Sequence, residues 1–277
     1  MAPSSGALLE PMPESPRKDV WAAGDLYEPY VGRWSRVVAK EFLAWLAVPA
    51  GRRWLDVGCG TGALSQTVQR NGAPAQVRGV DPSPGFIEYA RAHTQGATFD
   101  VQDAQALSIG DGAFDVAVAG LVLNFVPKPE RAAAEMSRVV RPGGAVAAYV
   151  WDYADKMELM RYFWDAAIEL NPEARKLDEG VRFPLCRPDP LGALFREAGL
   201  EQVEVRAIDA PTPFRDFDDY WTPFLGGQAP APGYCMSLDE RGRAALRERI
   251  RSKLPLRADG SIHLIARAWA VKARVPG

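Results

Sequence analysis

Apolar and polar positions follow two rhythms along this chain. The apolar residues Trp34, Val37, Val38, Phe42, Trp45 and Leu46 recur at helical spacing and predict a helix over 34–46, ended by Pro49 and Gly51. Short apolar runs then take turns with helical patterns. Strands are predicted over 53–57, 76–80, 97–101, 114–120 and 145–151, and helices over 62–70, 83–93 and 129–140. The run 114–120 is apolar except for Asp115, as a strand buried on both faces would be. Pro129 suits a helix start, and Pro142 with Gly143 a helix stop. Strand–helix alternation at this spacing predicts an α/β fold with a doubly wound, mostly parallel, Rossmann-like sheet.

Beyond Trp151 the rhythm breaks. Residues 152–187 mix aromatics with charges and hold a predicted helix at about 156–170. DPLGALFREAGL (189–200) reads as a helix closed by Gly199, followed by a strand over 202–207. A second irregular block, 210–258, carries Phe214, Phe217, Tyr220, Trp221 and Phe224 and then a charged helix near 238–253. Pro211 and Pro213, in APTPF, predict that the chain leaves the sheet there and crosses its edge. An alternating strand over 263–273 ends the chain. At the other end, Pro3, Pro11, Pro13 and Pro16 stand among small and charged residues and predict a mobile tail over 1–19. The expected organisation is one domain over 20–277, with cap segments at about 20–46, 152–187 and 210–258.

Composition narrows the classes. With 277 residues, 47% of them hydrophobic, there is material for one large core. Lys and Arg number 33 against 35 Asp and Glu, so no global field recruits nucleic acid or an anionic membrane. No apolar run approaches the roughly 18 residues of a membrane span, and the N-terminus lacks the pattern of a signal peptide. Cys59, Cys186 and Cys235 form no CxxC pair, which fits a reduced, cytoplasmic setting. They and the two histidines, His93 and His263, have no metal-ligand spacing, so no metal is expected.

The chemistry starts at WLDVGCGTGALSQ (54–66), where a strand runs through a glycine-rich turn into a helix. Gly58, Gly60 and Gly62 allow tight turning and close approach, and the turn is expected to face backbone N–H groups toward a ligand. A dinucleotide fingerprint would need G-x-G-x-x-G; the spacing here is G-x-G-x-G. Asp56 ends the first strand, Asp81 follows at the end of the second, 25 positions on, and Asp103 stands 22 further, past the third. Loops after successive parallel strands open on one edge of the sheet, where ligands bind. There Asp81 can accept both hydroxyls of a ribose, and Asp103 an exocyclic amine such as adenine N6.

LDVGCGTG, Asp81, QDA and FDVAVAGLVLNFVPKPERAAAEMSRVVRPGG together resemble the class I S-adenosylmethionine (SAM)-dependent methyltransferases, and among them the small-molecule enzymes similar to the ubiquinone/menaquinone-biosynthesis C-methyltransferases. The resemblance covers about 25–151 well and the last strands loosely. It implies the seven-stranded class I methyltransferase fold with helical cap insertions, and SAM as cofactor. It further implies that Asp56, Gly58, Cys59, Gly60, Thr61 and Gly62 surround the methionine part, that Asp81, Pro82 and Ser83 hold the ribose, and that Asp103 with Ala104 takes the adenine. Gly120, Leu121 and Asn124 would lie under the sulfonium; the family often has His where Asn124 stands. YEPYVGRWSR (27–36) matches a segment that closes over the cofactor, which offers Tyr30 and Arg33 for the methionine carboxylate.

The implied reaction is in-line transfer of a methyl group to a small, planar or apolar acceptor, yielding S-adenosylhomocysteine (SAH). The acceptor would lie among aromatics at the sheet's carboxyl edge: Tyr27, Trp34, Trp151, Tyr153, Trp221 and Phe224. No residue is assigned as general base. A nicotinamide-dependent oxidoreductase and a SAM-binding protein without catalysis are the alternatives, and the pattern sets no oligomeric state between monomer and homodimer.

Overall fold

The structure, a computed structural model, describes residues 32–227 and 229–277; the expected tail over 1–19 lies outside them. Helix α1 (Arg33–Leu46) buries Trp34, Val38, Phe42 and Leu46. It leads to β1 (Arg53–Val57), α2 (Ala63–Asn71), β2 (Gln76–Asp81), α3 (Pro84–His93), β3 (Ala97–Val101) and β4 (Phe114–Gly120). Helix α4 (Pro129–Arg138) and β5 (Val140–Trp151) complete the predicted alternation. Pro142 and Gly143 fall inside β5 rather than before it, and the register with β4 shifts at that point. The irregularity lets the strand begin early without a proline N–H in the ladder.

One seven-stranded sheet results, in the order β3-β2-β1-β4-β5-β7-β6. The first five strands pair in parallel, and β7 (Ile262–Arg274) runs antiparallel between β5 and β6 (Glu201–Phe214). Parallel strands covered on both faces are apolar throughout, as Val116–Ala119 in β4 are. A single cluster of buried residues runs from Trp34 to Ala273 and joins the sheet to its cap.

Strand β6 overturns one expectation. It does not stop at Ala207; it continues through Pro211 and Pro213, paired with Ile265 and His263 of β7, to Phe214. It is the edge strand, and two prolines spaced by two share one side of it, so neither need interrupt a ladder. Pairing of β5 with β7 ends at Trp151↔Ala268, while β6 and β7 stay paired through six further positions. The two-stranded ribbon thus rises about 20 Å past the carboxyl end of β5. Helices α5 (Glu158–Leu170), α6 (Glu179–Arg182) and α7 (Pro188–Glu197) lie between β5 and β6 in the chain, and α8 (Phe217–Trp221), α9 (Pro230–Ser237) and α10 (Glu240–Lys253) between β6 and β7. The block 210–258 is therefore not irregular but ribbon and three helices. No helix among the described residues is long and apolar enough to cross a membrane.

Candidate active site

The glycine turn between β1 and α2 is tight because three of its residues take positive φ: Gly58 at 71°, Gly60 at 51° and Gly62 at 87°. Four of its N–H groups turn inward rather than outward as expected. Those of Gly58 and Cys59 both donate to the Val80 carbonyl, at 2.7 and 3.0 Å, and that of Gly62 to the Cys59 carbonyl at 2.8 Å. The N–H of Gly60 donates to Asp81 Oδ2 at 3.0 Å. Parallel β1 and β2 lie side by side, so the turn closes on the neighbouring strand's end before any ligand arrives. What the turn offers instead is space. A Cβ on Gly60 would meet nothing within 4 Å, whereas one on Gly58 would lie 2.4 Å from Val122 Cγ2. Gly60 is the open face; Gly58 lets the chain after β4 come close. Cys59 turns its thiol inward, into a small cluster with Ile87, Ala90 and Phe99.

The three acids stand on one edge in very different states. Asp56 is buried, and burial pushes its carboxyl up to about 7, against the pull of the Ser65 hydroxyl that donates to Oδ2 at 2.7 Å. Its Oδ1 is buried without a hydrogen-bond partner, a position that costs free energy unless something fills it. Asp81 is also buried, which raises its pKa, but it accepts N–H bonds on both oxygens, from Gly60 at 3.0 Å and Ser83 at 2.9 Å. Each oxygen keeps a lone pair for a hydroxyl. Ser83 also caps α3 by accepting from Phe86 N–H; Pro82 is exposed beside it. Asp103 is exposed, and bonds from the Gln105 backbone and side chain pull its pKa down. Ala104, next to it, is buried.

Past β4 the chain is constrained again. Leu121 has φ 61°, a conformation that strains a non-glycine residue, and donates its N–H to the Tyr149 carbonyl at 2.8 Å. A Cβ on Gly120 would strike the Tyr149 hydroxyl at 2.7 Å. Val122 presses on Gly58, and Asn124, two residues on, carries a buried Nδ2 with no partner. The turn Leu123–Phe125 then sets Phe125 edge-on to Phe183 at 5.1 Å, and Tyr153 lies 5.8 Å from the same ring. Phe125 and Phe183 were not among the sequence candidates. Phe125 directly follows Asn124 and could have been found there; nothing local marks Phe183.

The remaining candidates scatter. Trp151 is 2% exposed and Phe224 0%; Phe224 stacks on Phe163 at 4.6 Å, and Trp221 on Phe217 at 6.4 Å. Arg33 and Trp34 sit at the far tip of the ribbon. Trp34 meets Phe214 edge-on, and Arg33 lies over Trp34 and Phe214 and pairs with Asp219 at 3.2 Å. In strand order that tip belongs to β6, four strands from β1 and its glycine turn. Tyr27 and Tyr30 lie outside the described residues. His93 is exposed at the end of α3, with Nδ1 2.8 Å from the Tyr89 carbonyl, and His263 is exposed on the ribbon. Among the described residues no group of three His, Cys, Asp or Glu could hold a metal ion.

Comparison with known proteins fits this geometry. The family of methyltransferase domains matches residues 55–148, from β1 into β5. A ubiquinone biosynthesis O-methyltransferase of Burkholderia pseudomallei (strain 1710b) is 33% identical over 178 residues, covering 60% of this chain and 73% of that protein. The chain belongs to the class I SAM-dependent methyltransferases. Its cofactor is SAM, and the enzyme transfers a methyl group. A candidate methyltransferase of Bacillus halodurans C-125 shares its fold at TM-score 0.59 and 16% identity, over 86% of this chain and 99% of the other. So does phosphoethanolamine N-methyltransferase 2 of Haemonchus contortus in complex with S-adenosyl-L-methionine, at TM-score 0.54 and 16% identity, over 88% of this chain and 53% of the other. The methyltransferase residues around Gly60 suit the cofactor: an open face beside the turn, an acid with spare lone pairs and a second with an orphaned oxygen.

Proposed function

We propose that this methyltransferase acts on a small, flat, apolar organic acceptor held between the chain leaving β4 and the cap. The observation that carries the reading is one stretch of four residues. Val122 touches the glycine turn while Phe125 touches Phe183, so cofactor and acceptor walls meet within Val122–Phe125. A relative named for ubiquinone biosynthesis supports a small-molecule acceptor, and the balance of 33 basic against 35 acidic residues supports it over nucleic acid. The cap segments belong in this reading to the same domain as the sheet.

In this assignment Asp81 accepts the ribose hydroxyls with Ser83 and Pro82 beside it, and Asp103 with Ala104 meets the adenine. Gly58–Gly62, with Asp56 behind, line the methionine part; Gly120, Leu121 and Asn124 lie beneath the sulfonium. Bound SAM supplies an electrophilic methyl group on a positively charged sulfur. The protein's part is alignment and exclusion of water. Transfer neutralises charge, so an apolar wall of Phe125, Tyr153 and Phe183 favours the uncharged products. Neither histidine reaches this wall, and no residue is assigned as general base. At the ribbon tip, Arg33 is left out of the cofactor set and Trp34 out of the acceptor wall.

The test is mass spectrometry of the ligand retained on purification, followed by a panel of flat aromatic acceptors scored by SAH release. Retained SAM or SAH with turnover of at least one flat acceptor is expected. SAH binding with release by none of them, and release by a peptide or nucleic acid instead, would overturn the assignment.

A further inference from the structure

A buried ion pair holds a half-buried ring at the acceptor wall. Helix α6 is a single turn of four residues, far too short to stand alone. Asp178 caps it by accepting the Gly180 N–H at 2.8 Å. Arg161, from α5, grips the same carboxylate with two nitrogens, Nη1 at 3.0 Å and Nη2 at 2.7 Å, and its Nη1 donates to the Tyr153 carbonyl at 2.8 Å. One guanidinium therefore ties α5, the exit of β5 and α6 together. The side chains of this pair are 14% and 6% exposed. Beside it the Trp164 indole N–H donates to the Glu179 carboxyl, both residues buried. Gly180 sits hard on the exit of β5: a Cβ there would lie 2.9 Å from the Tyr153 carbonyl oxygen and 3.0 Å from Ala154 Cα.

All this fixes the turn that ends in Phe183. That ring is only half-buried; Arg182 lies over one face at 5.2 Å, and the Phe125 and Tyr153 rings stand 5.1 and 5.8 Å from it. Buried ion pairs add little net stability, because desolvation offsets attraction; their best-attested use is to fix one arrangement over others. A part-exposed phenylalanine at the junction of β4 and β5 gives such a latch something to position.

We propose that Phe183 is the specificity-determining residue of the acceptor site, the face on which a flat acceptor lies, and that Arg161–Asp178 and Trp164–Glu179 are the contacts that hold it in place. The proposal rests on the acceptor reading above and adds which ring selects the substrate's shape. Asp178 and Glu179 are positioning residues in it and touch no reacting atom.

The experiment uses matched probes: 4-phenylphenol, 4-phenylaniline and 4-phenylthiophenol, each paired with its 4-cyclohexyl counterpart, scored by SAH release. The nucleophile is constant within a pair and only flatness changes. The wild type is expected to favour the flat member by about fivefold or more in kcat/KM, consistent with about 1 kcal/mol from one aromatic contact. Phe183→Ala raises KM for the flat member and brings the ratio near one, while kcat and SAH affinity stay within about twofold. Phe183→Leu, which keeps apolar bulk and loses the flat face, does the same if the alanine variant fails to fold. Phe183→Tyr keeps the preference. Arg161→Lys, which keeps charge and loses the two-pronged grip, shifts the ratio in the direction of Phe183→Ala. A folded Phe183 variant with the wild-type ratio, or a wild type that turns over the panel without preference, overturns the proposal. A wild type that binds SAH but turns over no member removes the flat-acceptor reading beneath it.

Discussion

The half of the sheet around β1 and β2 and the cap around the ribbon reach order by different means. Beside β1 the backbone does the positioning: three positive φ angles, two N–H groups on the Val80 carbonyl and one on Asp81. Every participant is close in sequence to the end of a strand. In the cap, side chains from distant segments do it. Tyr220 donates to the Leu159 carbonyl across 61 positions, Phe224 stacks on Phe163, and Arg161 reaches Asp178. Backbone geometry imposes a residue pattern that relatives can share, and the family match at 55–148 falls on that half. Side-chain packing tolerates many solutions, so the cap is where one methyltransferase can differ from the next.

If the division holds, the cap should be able to fail while the cofactor site survives. Phe224→Ala is the harshest case. The ring has no exposed surface, and its loss is expected to cost about 3–5 kcal/mol of stability in denaturant unfolding. Remaining folded protein should bind SAH as before; an equal loss of SAH affinity would merge the two regions. The reverse break is Asp81→Ala. Losing a carboxylate that accepts hydroxyls costs about 1.5–3 kcal/mol per bond, roughly 10- to 150-fold in SAH affinity by calorimetry. Asp81→Asn retains one acceptor but turns an amide N–H toward either Gly60 N–H or Ser83 N–H, so it should not bind SAH like the wild type. Full affinity in either variant would remove Asp81 from the ribose.

Acidity probes both regions at once, because each hides a carboxyl raised far from its ordinary value. Burial lifts Asp56 from 3.8 to about 7 and Glu179 from 4.5 to about 8. A raised carboxyl leaves stability whole below its unfolded value and removes it as pH climbs to the folded value, by up to about 1.4 kcal/mol per pH unit for each group. Unfolding free energy should therefore fall between about pH 4 and pH 8. Asp56→Asn should flatten the fall up to about 7 and Glu179→Gln the part up to about 8. A pH-independent wild type would show that neither group is neutral in the fold. The smallest effect expected is none: turnover should persist in EDTA, and a loss restored by a divalent ion would reveal a metal requirement.

Legibility in the sequence followed the same division. The first five strands, the glycine turn and the three acids could be read because strand ends, φ > 0 positions and acids leave local marks. The direction of four of the turn's N–H groups was not legible, since the pattern G-x-G-x-G does not say whether they meet a ligand or the next strand. The length of β6 was hidden by Pro211 and Pro213, which break a central strand but not one side of an edge. Phe183 was invisible because its partners Phe125 and Tyr153 are 58 and 30 positions away and no periodicity links them. Trp221 and Phe224 looked like wall residues from composition, and such aromatics serve a core equally well.

The most direct test sets one variant from each region against a single ligand. SAH is titrated calorimetrically into Asp81→Ala and Phe183→Ala, with the wild type alongside. A division between cofactor edge and acceptor cap predicts a loss of about tenfold or more for Asp81→Ala and a change within about twofold for Phe183→Ala. Equal losses in the two folded variants, or a loss confined to Phe183→Ala, would contradict it.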